Sequence, residues 1–71
     1  MAEDRRVLLG KKIKKYRLRA RLTQGDLSIM VGHSSPAFIA YIEHGHRNIN
    51  AIDLSVLAKK LGVSTDELLK N

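Results

Sequence analysis

Three histidines, at positions 33, 44 and 46, are the side chains of this sequence best suited to hold a metal ion. A structural zinc site needs four ligands, usually Cys or His. The sequence has no cysteine, and Gly45 reverses the chain between two of the histidines. No cluster of carboxylates completes a tetrahedral set, so we predict no metal site and no cofactor.

The acidic residues that could act in acid-base catalysis have a simpler explanation. Asp53, Asp66 and Glu67 each lie where a helix is predicted to begin, and an acid there interacts favourably with the positive end of the helix dipole. The sequence contains neither a Ser-His-Asp arrangement nor a glycine-rich phosphate-binding loop. We therefore expect a protein that is not an enzyme.

Positive charge is concentrated at one end of the chain. Residues 1–21 hold nine basic and two acidic residues, a net charge of +7, whereas residues 22–71 carry a net charge of −1. A localised basic region favours polyanions, with nucleic acid the first candidate and an acidic membrane surface the second. A solvated helix face is the alternative, because charge alone does not identify a partner.

Length and composition limit the remaining possibilities. Seventy-one residues form one small domain, residues 1–71, with little room for a deep cavity. The lack of cysteine excludes disulfides, and no apolar run reaches the roughly 20 residues that span a bilayer. We expect a soluble, cytoplasmic protein without membrane association.

Helix caps divide the chain into five predicted helices, at about residues 4–20, 24–31, 36–44, 51–61 and 65–70. Thr23, Asn50 and Ser64 each precede an acid by three residues, which is typical of a helix start. Only Ser64 is paired with a glutamate, so we expect a full capping box there and weaker versions at the other two. Ser35 should cap a helix whose first residue is Pro36.

Each predicted helix has one apolar stripe, and no segment shows the alternation of apolar and polar residues that is typical of a strand. These stripes predict a compact all-α bundle. The residues expected to face inward are Leu9, Ile13, Tyr16, Ala20, Leu27, Ser28, Val31, Ile39, Ile42, Leu54, Leu57, Ala58, Leu61, Leu68 and Leu69.

The second and third helices are joined by a tight turn beginning at Gly32, the arrangement of a helix-turn-helix unit. The segment LTQGDLSIMVGHSSPAFIAYIEHG resembles the helix-turn-helix of the XRE-type family, to which Cro and phage-repressor DNA-binding domains belong. The likeness extends over residues 9–69. It implies a five-helix, phage-repressor-like fold that binds double-stranded DNA with helix 36–44 in the major groove.

The resemblance also implies roles for individual residues. Arg17 and Glu43 match a pair that ties the recognition helix to the first helix. The matching base-reading positions are Ser34, Ser35, Pro36, Ala37, Phe38 and Tyr41. We expect phosphate contacts from Gln24, Arg19, His46, Arg47 and Asn48.

The recognition helix departs from the family pattern in two ways. The distance from Gly32 to Glu43 is one residue longer than in the commonest members, which implies an insertion around His33 and Ser34. The helix also lacks the Gln, Arg or Asn that makes bidentate contacts to purines. An alternative interpretation makes Phe38 and Tyr41 packing or dimer-contact residues.

The sequence therefore predicts a transcriptional repressor that binds a palindromic operator as a homodimer. The expected dimer surface lies within residues 48–71, with Ile52, Val56 and Leu69 as candidates. An alternative function is a protein-interaction module on the same scaffold, such as an antitoxin or an adaptor. Docking of the basic first helix on anionic lipid is a third possibility, and a poorer one because the apolar stripe of that helix is needed for the core.

Overall fold

The computed structural model describes residues 4–70, which form five α-helices and contain no strand. The helices are α1 (Arg5–Arg19), α2 (Gln24–Met30), α3 (Ala37–Glu43), α4 (Ala51–Leu61) and α5 (Thr65–Leu69). The predicted all-α class is confirmed, and each helix begins and ends within one residue of its expected position. No helix in this range is long and apolar enough to cross a bilayer.

The full capping box forms at a different helix from the one expected. At the start of α2, Thr23 Oγ1 accepts from the Asp26 N–H (3.0 Å), and the Asp26 carboxylate accepts from the Thr23 N–H (3.1 Å). The bond from the Thr23 N–H lowers the pKa of Asp26. At α5, Ser64 accepts from the Glu67 N–H (3.1 Å), but the box stays half-formed because Glu67 Oε2 accepts from the Tyr16 hydroxyl (3.1 Å). That hydrogen bond raises the pKa of Tyr16.

Every helix contributes one or two fully buried side chains to the core. Its fully buried side chains are Ile13, Leu27, Ser28, Ile39, Ile42, Leu57 and Leu68. Two residues expected inside are instead exposed. Ala20 lies beyond the last residue of α1, and Leu69 follows Leu68 on a helix so short that only one of the two can face inward.

Helix α1 approaches the end of α3 with no side chain between the two backbones. Gly10 lies where an added Cβ would be 2.5 Å from the Ile42 carbonyl oxygen and 2.6 Å from that of Glu43. A second close approach follows at Gly45, where a Cβ would be 2.8 Å from Val7 Cγ2 and φ is +75°. Both contacts draw the C-terminal end of α3 onto α1.

We predict opposite effects for the same substitution at two helical glycines. Gly10→Ala should destabilise the domain by about 1–3 kcal/mol, because the new methyl meets rigid backbone oxygens and outweighs the gain in helix propensity. Gly25→Ala should stabilise it by about 0.5–1 kcal/mol, since its Cβ would meet Pro36 Cβ at an ordinary 3.4 Å. Urea unfolding followed by circular dichroism measures both. Equal shifts of the two midpoints in one direction would contradict the close packing of α1 on α3.

Candidate nucleic-acid interface

Ser28 joins the two helices of the helix-turn-helix unit. Its side chain is completely buried in α2, where Oγ accepts from the Ile39 N–H (3.2 Å) and donates to the Pro36 carbonyl (3.3 Å). The first backbone N–H groups of a helix have no partner within the helix, so Ser28 satisfies one of these groups in α3. A single hydroxyl on α2 thereby fixes the position of the first turn of α3.

The start of α3 is displaced by one residue from the prediction. Ser35 Oγ accepts from the Ala37 N–H (3.2 Å), as a cap should, but Pro36 precedes the helix instead of beginning it. Ser34, Ser35 and Pro36 are exposed, and Ala37 is half-buried. The turn therefore presents a short polar segment to solvent directly before the helix.

The other end of α3 is held by a buried ion pair between Arg17 and Glu43. The distances are 2.6 Å from Arg17 Nε to Glu43 Oε2 and 3.1 Å from Nη2 to Oε1. Arg17 Nη1 also donates to the Leu22 carbonyl (2.8 Å), and the two side chains are only 8% and 2% exposed. The pair ties α3 to α1 and to the loop before α2.

Gln24, an expected phosphate ligand, takes part in the same network. Its Nε2 donates to Glu43 Oε1 (3.0 Å), and the side chain is half-buried at the start of α2. A glutamine amide has two N–H donors, and this bond uses one of them. Glu43 therefore fixes the orientation of a side chain that leaves one donor for another acceptor.

Phe38 is a core residue, contrary to its expected place on the reading face. It is only 4% exposed, and its ring lies parallel to that of His33 with centroids 3.5 Å apart. The Arg47 guanidinium lies 5.2 Å from the centroid of the same ring. The reason is helical geometry, since Phe38 is four residues before Ile42 and so shares its inward face. The packing interpretation of Phe38 is correct.

His33 connects the turn to α4. Its Nε2 lies 3.3 Å from Asp53 Oδ2, and Asp53 also accepts from the Asn50 side chain (3.4 Å). The His44 and His46 rings are 6.1 Å apart, and residues 4–70 contain no group of three acidic or histidine side chains arranged to hold a metal. The contacts of His33, which lies in the turn where an insertion is predicted, could not be read from the sequence.

The remaining candidates fall into two groups. Tyr41 is 53% exposed on α3, and His46, Arg47 and Asn48 are exposed in the loop that follows it. Arg19 lies elsewhere, beside Tyr16 and the turn between α4 and α5. Successive residues of a helix are about 100° apart, so Arg19 points away from the face on which Arg17 meets α3. The structure therefore does not bring Arg19 to the candidate interface.

A helix-turn-helix family model, HTH_3, matches residues 13–68 of the chain. The chain belongs to this family. The predicted XRE-type resemblance is confirmed, and the helix-turn-helix domain described above is a DNA-binding domain of the type found in transcription regulators.

Solved structures show the same fold. The c2 repressor of P22, in complex with a synthetic operator, is 34% identical, with a TM-score of 0.81 over 87% of this chain and 92% of the repressor chain. The restriction-modification controller protein C.AhdI from Aeromonas hydrophila is 25% identical, with a TM-score of 0.82 over 89% of this chain and 94% of that protein. The clp gene regulator ClgR from Corynebacterium glutamicum is 22% identical and shares the fold, with a TM-score of 0.88 over 94% of this chain and 70% of the ClgR chain. No curated protein sequence matches this helix-turn-helix domain.

Proposed function

We propose that this domain is a transcriptional repressor that binds a palindromic operator as a two-fold dimer, with α3 in the major groove. The observation that carries the proposal is the inward position of Glu43, the only acidic residue of α3. Its carboxylate is neutralised by Arg17 inside the protein. The outward face of α3 therefore brings no negative charge to the phosphates on either side of the groove.

The proposed reading surface consists of Ser34, Ser35, Pro36, Ala37 and Tyr41. Serine hydroxyls can donate to or accept from base edges, and the methyl group of Ala37 can contact the methyl group of thymine. Tyr41 is long enough to reach a base or a phosphate. This surface relies on shape and single hydrogen bonds, because α3 has no side chain that makes a bidentate contact to a purine.

Phosphate contacts come from Gln24 and from the loop that contains His46, Arg47 and Asn48. Arg47 is an exposed residue, and its guanidinium lies 5.2 Å from the centroid of the Phe38 ring. A cation held against a packed ring loses less side-chain entropy when it binds a phosphate. We therefore assign Arg47 the largest single phosphate contact.

Alanine substitutions should separate phosphate binding from base reading. Arg47→Ala should weaken binding to every duplex and reduce the slope of log K against log salt by about 0.9, because one phosphate contact is lost. Tyr41→Ala should alter the preferred sequence and leave that slope nearly unchanged. Fluorescence anisotropy at several salt concentrations measures both effects, with Lys60→Ala on α4 as the control. An unchanged slope for Arg47→Ala would contradict its assignment.

Two copies about 34 Å apart on DNA are the usual way for such a short helix to gain specificity. Ile52 and Leu69 are 76% and 58% exposed, and we propose that they form the dimer surface. Val56, the third candidate, is partly buried against the core and contributes less of its side chain.

Ile52→Glu should therefore give a monomer. Burying two carboxylates at the dyad is unfavourable, so sedimentation should show dissociation at concentrations where the unchanged protein is a dimer. Operator affinity should fall by about 100-fold or more, since the two half-sites no longer bind together. Lys60→Glu, on the same helix, is the control. A dimer that persists in the Ile52→Glu variant would place the interface elsewhere.

The direct test of the proposed function is selection of bound duplexes from a random library, followed by the salt dependence of the selected sequence and of a scrambled one. A repeated half-site with dyad spacing is the expected result. Weak binding that is equally salt-sensitive for every duplex would contradict sequence-specific regulation. It would favour the second candidate function, a protein-interaction module, which the lack of purine-reading side chains on α3 already supports.

A further inference from the structure

A shallow groove with an apolar floor and a basic rim runs along α1 beside α5. It consists of two adjoining depressions, with volumes of about 110 and 240 Å³, that share Leu8 and Lys70. Ile49 and Leu69 continue the floor, and Lys15 stands at the opposite end. Each depression is smaller than the roughly 300 Å³ expected of a small-molecule site. The shape suits a row of side chains from a polypeptide.

Charge around the groove is strongly one-sided. The described residues that line it include Arg5, Lys12, Lys15 and Lys70 but no Asp or Glu. Two acids adjacent in sequence to lining residues have partners of their own: Asp4 pairs with Arg6, and Glu67 accepts from Tyr16 and lies 3.9 Å from Lys70. An occupant with acidic side chains flanking an apolar stripe would complement both the rim and the floor.

The groove lies on the opposite side of α1 from the recognition helix. Gly10 and Arg17 are the α1 residues that meet the end of α3. At about 100° per residue, Leu8, Lys12 and Lys15 project roughly 180° from them. An occupant of the groove would therefore leave the reading surface free.

We propose that this groove binds an acidic amphipathic helix of a protein partner, on the side of α1 that faces away from the recognition helix. The partner's apolar side chains would lie on Leu8 and Leu69, and its acids would face Lys12 and Lys15, as in other complexes in which a helix occupies a groove. A membrane fits less well because Leu8, the apolar residue common to both depressions, is only partly exposed and is flanked by lysine side chains. The site goes beyond operator binding; it shares Leu69 with the proposed dimer surface and reaches Asn48 of the proposed phosphate-contacting loop.

The test uses the full chain, labelled with ¹⁵N, and a synthetic 16-residue helical peptide with leucines along one face and glutamates on both flanks. A peptide of identical composition with the leucines scattered is its control. As peptide is added, we expect the amide chemical shifts of Leu8, Lys12, Lys15 and Lys70 to change until they saturate. The amide chemical shifts of α3 should change little. We expect Lys12→Glu with Lys15→Glu to weaken binding by about tenfold or more.

The double variant Lys59→Glu with Lys60→Glu, on α4, makes the same change in net charge outside the groove and should bind the peptide within about twofold of the unchanged protein. Circular dichroism checks that both variants are folded. Three results would overturn the proposal: equal affinity for the peptide with scattered leucines, an equal loss of peptide affinity in the two double variants, or chemical-shift changes centred on α3. If the amide chemical shifts of the groove residues change without peptide as the protein concentration rises, the groove belongs to a contact with a second copy of the chain. If the protein binds only phosphatidylserine vesicles, the groove belongs to a lipid contact.

Discussion

Glu43→Ala is expected to destabilise the folded domain by about 3–5 kcal/mol, which is a large share of the total stability of a chain this small. The substitution leaves the Arg17 guanidinium buried with one remaining acceptor, the Leu22 carbonyl, and also removes the acceptor of Gln24. An unpaired buried charge is costly because the protein interior replaces little of its hydration. Urea unfolding followed by circular dichroism should show a much lower midpoint or no folded baseline.

A double-substitution cycle distinguishes loss of the ion pair from loss of packing. Arg17→Met combined with Glu43→Leu removes both charges while keeping side-chain volume, so it should cost much less than the sum of the two single changes. The double variant should still bind DNA poorly, because Gln24 has lost the Glu43 acceptor that orients it. Additive effects of the two single changes would mean that the pair contributes little beyond packing.

Phe38→Ala is the second substitution with a large expected effect, about 3–5 kcal/mol of destabilisation. It removes a ring that is 4% exposed and that packs against His33 on the turn and Arg47 in the following loop. The cavity would lie where three segments meet, so neighbouring side chains have little freedom to fill it. Thermal and urea unfolding measure the loss.

Tyr41→Ala is the matched control, because Tyr41 is an aromatic residue of the same helix that is 53% exposed. Its removal should change stability by less than about 1 kcal/mol. If Phe38→Ala proved equally mild and instead altered DNA sequence preference, Phe38 would belong on the reading face after all.

The helix boundaries could be predicted because each is set by a few neighbouring residues. Thr23, Asn50 and Ser64 each accept from the N–H three residues on, which depends on local sequence alone. Which acid completes a capping box could not be predicted in the same way. Glu67 is drawn away by Tyr16, a partner 51 residues distant that only the packing of α5 on α1 brings near.

The candidate site was predicted in position more reliably than in orientation. The stretch 35–41 carried the expectation of a reading helix, and the family resemblance assigned Phe38 to base reading. The spacing of four residues from Phe38 to Ile42 already placed Phe38 on the inward face. The stack of His33 on Phe38 could not be read from composition. Gly10, by contrast, did carry a signal, because a glycine inside a helix often marks a close backbone approach.

The hydroxyl of Ser28 has a consequence for the heat measured when the domain binds DNA. By fixing the first turn of α3 in the free protein, together with the Arg17–Glu43 pair at its far end, it removes the need for the helix to fold when it meets DNA. Coupled folding adds a large negative heat-capacity change, because it buries apolar surface throughout the ordering segment. Titration calorimetry at several temperatures should therefore give a heat-capacity change that reflects only the surface covered at the protein–DNA contact.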